Sequence, residues 1–402
     1  MSDYLPQEVL LDIFHRLPNQ SIGRCMCVCK YWLSLVKNPF FVSSHLHQTI
    51  PSKNDSLFLL KLCSKQTLKV QYSLHFDNQE FSEYKRLGVP FKHDNRSFSV
   101  VGSSNGLVCL MHNLYTYNYT FVLWNPLIRK SLALPKPNVT FESHGAFEAL
   151  VGCGFDSCSK DYKVLRVVRL LEYEKENEED EELAIEVEIF SLNRNSWRNI
   201  TDIAPQYDIV ERGSQAFVNG TVHWIATKRS RTGESNNLVL GLDLGHENFH
   251  ELMLPESLAN ENFHELMLPE SLANENPMFC TVFKYMDSTI GGVMRNYVNF
   301  SDSDIWVMKK YGVTESWTKI LTFGRYEGGV PRALGFRRNG DVLFELFHGE
   351  IISVDPESLQ IEELRIHSAS GYSFVDTFIE SLVLLELDQP RDANEASDLS
   401  LR

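Results

Sequence analysis

Val187-Glu188-Ile189-Phe190-Ser191, then Leu192-Asn193-Arg194-Asn195, then Ser196-Trp197-Arg198-Asn199-Ile200: this stretch decides the fold. It reads as an apolar strand, a cluster of turn residues, and an aromatic that opens a second strand. Asn suits the turn because its short polar side chain bonds the reversing backbone and tolerates left-handed φ. The order recurs. Ser73–Asp77 runs to Leu87, Phe121–Asn125 to Leu134-Pro135, and Leu238–Asp243 to Leu254-Pro255. Ile305–Met308 runs to Trp317 and Ile320, and Ile351–Asp355 to Leu364, which makes six hairpins.

The hairpins start at intervals of 48, 66, 51, 67 and 46 residues. Both long intervals have a visible cause. The first contains the acidic run Glu172–Glu182. The second contains a tandem duplication, since 247–260 and 261–274 both read ENFHELMLPESLAN. Removing one 14-residue copy brings 67 down to 53. Between these hairpins stand others built on Asn105-Gly106, Asn219-Gly220 and Asn339-Gly340; Asn-Gly adopts the positive φ angles of a tight two-residue turn. Two hairpins per period of about 50 residues give four strands per unit, the size of a propeller blade. The spacing predicts a β-propeller of about six blades over 57–388, closed by Leu57–Leu62 at one end and Ser381–Leu385 at the other. A pair of β-sandwiches would carry the same strand signals. The two duplicate copies compete for one strand position, so either one pairs in the sheet and the other bulges out as a loop, or the strand register is ambiguous.

Working outward, the N-terminus is helical. Pro6 suits a first helical position, and Val9, Leu10, Ile13, Phe14 and Leu17 form one apolar stripe that Pro18 ends. Ser21 can cap a second helix, in which Ile22, Cys25, Val28, Cys29, Trp32, Leu35 and Val36 keep three-to-four spacing until Asn38-Pro39. So few residues cannot bury this much apolar surface alone, so the helices pack on the rest of the chain or dock on a partner. The fold class is therefore mainly β with a small α module: helices over 1–46, a linker over 47–56, the propeller, and a polar tail over 389–402 expected to be disordered.

Composition narrows the function. The chain of 402 residues is 43% hydrophobic and 11% aromatic, enough for a real core. Its net charge of −15 disfavours a nucleic-acid partner, whose phosphates require a basic surface. No run approaches the length of a membrane span, and the first residues lack the basic-then-apolar order of a signal peptide. Eight cysteines with no export signal read as reduced thiols of the cytosol or nucleus. Glu172, Glu174, Glu176, Glu178, Glu179, Asp180, Glu181 and Glu182 form a solvated, self-repelling run, or alternatively a landing site for a basic target.

Two resemblances add to this reading. Leu5-Pro6-x-Glu8-Val9-Leu10-x-x-Ile13-Phe14-x-x-Leu17-Pro18, followed by Arg24-Cys25-Met26-Cys27-Val28-Cys29-Lys30-Tyr31-Trp32-x-x-Leu35, resembles a plant F-box. The resemblance implies an adaptor-binding role for Leu5, Pro6, Val9, Leu10, Ile13, Phe14, Leu17, Pro18, Ile22, Cys25, Val28, Cys29 and Trp32. The partner would be a Skp-type adaptor and, through it, a cullin. The run Asn19–Gly23 departs from the usual Lys-Ser-Leu-Leu wording, and Gly23 costs a helix about 1 kcal/mol relative to Ala. Gly102–Cys109, Leu123-Trp124-Asn125-Pro126-Leu127-Ile128-Arg129-Lys130, Gly154-Phe155-Asp156 with Asp161-Tyr162-Lys163-Val164, Gly220-Thr221-Val222-His223-Trp224 and Glu380–Leu385 resemble the F-box-associated domain. Phe41–His47 is similar to the S-locus F-box branch. Together these imply a substrate-recognition subunit of a Skp–cullin–F-box ubiquitin ligase. The alternatives are a pollen S-locus-type protein recognising secreted ribonucleases, or a propeller enzyme or small-molecule sensor.

Catalytic patterns are weak. Cys25-x-Cys27-x-Cys29 on a helix would point its central thiol away from the other two, with no His at ligand spacing. His45, His47 and His223 lack local partners for metal or triad work. Gly102–Gly106 lacks the Lys-Ser/Thr ending of a phosphate loop. The expectation is a non-catalytic chain with no metal site, no cofactor and no membrane contact.

Overall fold

The computed structural model describes residues 5–49, 57–89, 98–112, 117, 119–171, 184–205, 207–209, 215–229, 235–253, 280–286, 288–295 and 302–384. Four helices open the chain: α1 Gln7–His15, α2 Asn19–Cys25, α3 Lys30–Val36 and α4 Pro39–Thr49. Two helices were expected here. The second divides because Cys29 takes an extended backbone (φ −159°) and its Sγ accepts the Trp32 amide at 3.4 Å, capping α3. Pro6 and Pro18 are N-caps with extended ψ rather than first helical residues. Pro39 begins a helix as well as ending one, with the Asn38 side chain accepting the Phe40 amide at 2.9 Å. No helix among the described residues is long and apolar enough to cross a membrane.

The strands form six blades in a closed ring. β1 Leu57–Cys63, β2 Val70–Phe76 and β3 Glu83–Leu87 are the outer three of blade one. Blade two is β4 Ser99–Ser104, β5 Leu107–His112, β6 Thr120–Asn125 and β7 Lys130–Ala133. A short helix, α5 Phe141–His144, leads to blade three: β8 Phe147–Asp156, β9 Asp161–Leu170, β10 Ile185–Ser191 and β11 Ser196–Asn199. In blade four the innermost position is split between β12 Asp208–Ile209 and β13 Ala216–Val218, both paired to β14 Thr221–Arg229; β15 Ser235–Asp243 and β16 Asn248–Met253 follow. Blade five is β17 Cys280–Tyr285, β18 Thr289–Arg295, β19 Asp302–Met308 and β20 Trp317–Gly324. Blade six is β21 Arg332–Phe336, β22 Val342–Glu345, β23 Glu350–Val354 and β24 Ile361–His367. Then β25 Phe374–Phe378 returns to β1 as the innermost strand of blade one.

All six hairpins read from the sequence occupy one structural position, the third and outermost strands of their blades. Two Asn-Gly pairs form the expected turns with positive φ at both residues: Asn105 at 49° and Gly106 at 77°, Asn219 at 53° and Gly220 at 78°. At Asn339-Gly340 only the glycine is left-handed, inside a wider reversal closed by the Arg337 amide on the Asp341 carbonyl.

Ring closure differs from expectation. β1 pairs with Phe374–Phe378 in the register Leu57↔Phe378 and Lys61↔Phe374, not with Ser381–Leu385. The described part of that segment, Ser381–Leu384, is buried and joins an apolar cluster with the helical module. A short apolar run buried on all sides is indistinguishable from a strand by pattern alone. The first duplicate copy supplies β16, in register Leu238↔Met253 through Asp243↔Asn248. Its Glu247 also pairs with Lys163 at 2.9 Å and with Arg198. Nearness in chain explains the choice, since a shorter loop closes at lower entropic cost. The second copy lies outside the described residues.

Candidate functional site: a half-exposed helical module on a two-faced ring

The apolar residues of α1 divide between two directions. Leu10 and Phe14, at 2% and 1% exposure, point inward with Ile22 at 0%. Phe14 meets Trp32 edge-on at 5.2 Å and Phe41 at 6.2 Å between ring centroids. Leu10, Phe14 and Ile22 thus form the module's core and cannot serve as surface anchors. Leu5, Val9 and Ile13 stay 48%, 42% and 41% exposed and follow one another at four-residue spacing, a single stripe on the outer side. Pro6, Pro18 and Val28 are exposed as well, while Leu17, Cys25, Cys29 and Trp32 are half-buried. Tyr31 and Phe40 are also exposed apolar residues of this module, and both were absent from the expected set. A local pattern marks them as apolar but does not say which way they face.

Gly23 lies inside α2, and a Cβ built there meets no heavy atom within 4 Å. Gly23→Ala is therefore expected to raise stability by about 0.4–1 kcal/mol through the unfolded chain's lost freedom, read as an upward shift of the thermal midpoint.

Antiparallel pairing sorts the ring's connections into two faces. Turns joining first to second and third to fourth strands share one face, and most are short, Asn105-Gly106, 126–129, 157–160, 192–195, 219–220 and 244–247 among them, with 309–316 the longest of those between described strands. Connections from second to third strands and between blades share the other. They include 134–146 with α5, 325–331 and 368–373, and they also join the strand pairs flanking the acidic run and the duplication. The acidic run itself, Glu172–Glu182, lies outside the described residues. Because β1 starts opposite the end of β25, the helical module enters the ring on the short-turn face.

The ring encloses a cavity of about 400 Å³ lined by its inner strands, with Ser103, Gln215, Phe283, Lys284, Arg332 and Asp376 on the wall. Charged groups do converge there, and hydrogen bonds from the wall engage them. The Asp376 carboxylate accepts the Ser103 amide at 3.1 Å and its hydroxyl at 2.9 Å. Burial pushes the Asp376 pKa up, and Lys284 opposes that shift. Arg332 donates to Glu345 at 2.8 Å and to the Ser373 carbonyl at 2.7 Å. No metal ligands were expected; among the described residues one surface trio, Glu327, His348 and Glu350, brings its ligand atoms within 4.8 Å of one another. His348 Nε2 is 3.1 Å from Glu327 and 3.8 Å from Glu350, so the trio is also an ion-pair cluster when His348 is protonated.

His223 is fully buried: Nδ1–H donates to the Ala216 carbonyl at 3.0 Å and Nε2 accepts from the Tyr311 hydroxyl at 2.8 Å. Burial pushes its pKa down to about 4, opposed by the bond to Ala216. The folded ring stays neutral while the unfolded chain takes up a proton below about pH 6.5. The stability that His223 supports is therefore intact above that pH and is lost as pH falls toward 4. Between about pH 7 and pH 5 this amounts to roughly 2 kcal/mol. Denaturant midpoints at both pH values measure it, and His223→Gln is expected to flatten the slope by that amount.

The architecture defines a class: a small helical module with apolar residues left open to water, on one face of a six-bladed propeller. The F-box associated beta propeller domain family matches residues 57–342, and an F-box-like domain matches residues 2–49. This chain belongs to the plant F-box proteins with an F-box-associated propeller. The F-box protein At3g07870 of Arabidopsis thaliana is 29% identical, covering 96% of this chain and 93% of that one. F-box protein CPR1 of the same plant is 28% identical over 94% of this chain and 89% of its own length. The F-box/kelch-repeat protein At3g23880, also of Arabidopsis, is 26% identical over 79% of each.

Proposed function

We propose that this chain is a non-catalytic substrate-recognition subunit of a Skp–cullin–F-box ubiquitin ligase, working in the cytosol or nucleus. The observation that carries the reading is the stripe Leu5–Val9–Ile13, apolar and open on a module whose other side is buried. An adaptor helix or loop that covers the stripe removes it from water, and the ring behind it remains free to hold a target. The face away from the F-box carries the longer connections, and long connections on a rigid scaffold are where recognition concentrates. The F-box proteins At3g07870 and CPR1, which match along nearly the whole chain, support the same assignment. The contribution to ubiquitin transfer is proximity: holding a target lysine near the charged conjugating enzyme raises its effective concentration. The test is capture of a Skp-type adaptor and a cullin by the full chain under proteasome inhibition. Failure to capture either would overturn the reading.

A further inference from the structure

We propose that Ile379–Leu384 is a latch. The six residues that follow the ring-closing strand seat the F-box on the short-turn face and fix its orientation, with Asn125 as the positioning residue.

The segment leaves β25 where the ring closes and crosses the Asn105-Gly106 turn. A Cβ on Gly106 would stand 2.4 Å from the Ile379 carbonyl and 2.5 Å from Ser381 Oγ, so the crossing is close enough to require glycine there. Beyond that point the chain is gripped by Asn125, which is fully buried at the end of β6. Its Nδ2 donates to the Ser381 carbonyl at 3.0 Å and to the Val383 carbonyl at 2.9 Å. Its Oδ1 accepts the Leu127 amide of its own turn at 3.0 Å. One amide side chain thus ties the C-terminal segment to blade two with both ends satisfied, the condition under which a buried polar group stabilises rather than costs.

The other side of the segment belongs to the F-box. Leu382, Val383 and Leu384, at 1%, 5% and 1% exposure, share one apolar cluster with Leu10, Phe14 and Ile22 of the helices and with Leu107 and Phe121 of blade two. Asn19 Nδ2, at the start of α2, donates to the Glu380 carboxylate at 3.4 Å. The latch therefore lies between module and ring and completes the core of both. Its sequence position makes ring closure and F-box seating consecutive parts of one event. A second attachment added to the N-terminal connection restricts the module's orientations in a way that a single tether cannot.

The stripe Leu5–Val9–Ile13 takes no part in this contact, so the latch and the adaptor face are separable, and the test needs no ubiquitination readout. Cys27 on the F-box and Cys158 on the ring are exposed native thiols. With the half-buried Cys25, Cys29 and Cys280 changed to serine, spin labels at Cys27 and Cys158 report the distance between module and ring in the full chain. The unmodified latch is expected to give one narrow distance distribution. Asn125→Ala, and separately Leu382→Ser with Leu384→Ser, are expected to broaden it, and the same latch changes made in the chain with its native, unlabelled cysteines are expected to retain capture of a Skp-type adaptor. A broad distribution in the unmodified latch, or a narrow one that survives both variants, overturns the proposal. Should the variants fail to fold, hydrogen exchange on the native chain decides. Amides of α1, α2 and 379–384 are expected to open as one unit, and separate opening of the F-box overturns the latch.

Discussion

A chain carrying Val9→Asp and Ile13→Asp is expected to bind a Skp-type adaptor about a hundredfold to ten-thousandfold more weakly while folding as before. Fully burying an aliphatic side chain of this size contributes about 1.5–3 kcal/mol, so with about two-fifths of each still open docking realises about 0.6–1.2 kcal/mol per residue. Each carboxylate put in its place adds a desolvation cost of about 1–2 kcal/mol, so the two changes together cost about 3–6 kcal/mol, and each 1.4 kcal/mol is a factor of ten. Both residues are more than 40% exposed in the free chain, and surface changes of this kind usually move stability by less than about 0.5 kcal/mol. Titration of adaptor against both chains measures the loss, and unchanged thermal unfolding certifies the fold. The contrasting variant is Leu10→Asp. Leu10 is 2% exposed within the cluster it shares with Phe14, Ile22 and the latch. A carboxylate there has no partner and is expected to unfold the module. That change would abolish capture for the wrong reason, which is why the stripe is the place to probe. Equal adaptor affinity in the Val9/Ile13 variant would remove the stripe from the interface.

The second large effect is expected in blade three. Arg166 and Glu188 are both fully buried, with Nη1 2.8 Å from the carboxylate. Glu188 also accepts the Asn138 and Val139 amides at 2.7 and 3.1 Å, and Arg166 donates to the Val139 carbonyl at 3.2 Å. The guanidinium lies over Tyr119 at 4.8 Å and Phe147 at 5.4 Å. The pair thus fastens the connection between blades two and three to the sheet of blade three. Glu188→Ala leaves a buried cation and two backbone amides without their acceptor, and is expected to cost about 3–5 kcal/mol. Burial already opposes the charge on Arg166, with Glu188 offsetting it, so removing the carboxylate exposes the whole desolvation cost. Arg166→Met with Glu188→Leu is expected to recover part of the loss, because no uncompensated charge remains. Urea midpoints of the three chains measure both steps. An unchanged midpoint for Glu188→Ala would show that the blade does not depend on the pair.

Sequence legibility followed the range of the interactions involved. Hairpins such as Val187–Ile200 announce themselves because both strands and the turn are neighbours in the chain. The Asn-Gly pairs at 105–106 and 219–220 could be placed because their left-handed backbone is a local demand. The closing strand Phe374–Phe378 could not be chosen over Ser381–Leu385 in this way. Its partner β1 is more than 300 residues away, and Ser381–Leu385 is the more continuously apolar of the two, since Phe374–Phe378 is interrupted by Asp376 and Thr377. The break at Cys29 was hidden by a continuous apolar period over a chain that turns and recaps.

The residues by themselves determined that six hairpin units follow a helical module, and that the module holds more apolar surface than it can bury alone. Only the tertiary structure decided which of those apolar residues face water. Val9 and Leu10, or Ile13 and Phe14, are adjacent in sequence and similar in hydrophobicity, so periodicity assigns them to one stripe. They separate only when α1 folds against Trp32, Phe41 and the apolar cluster that it shares with Leu382–Leu384. Hydrophobicity is a property of the side chain, but burial is a property of what packs against it, and here that is the rest of the helical module within a cluster that also takes in Leu382–Leu384 from the far end of the chain.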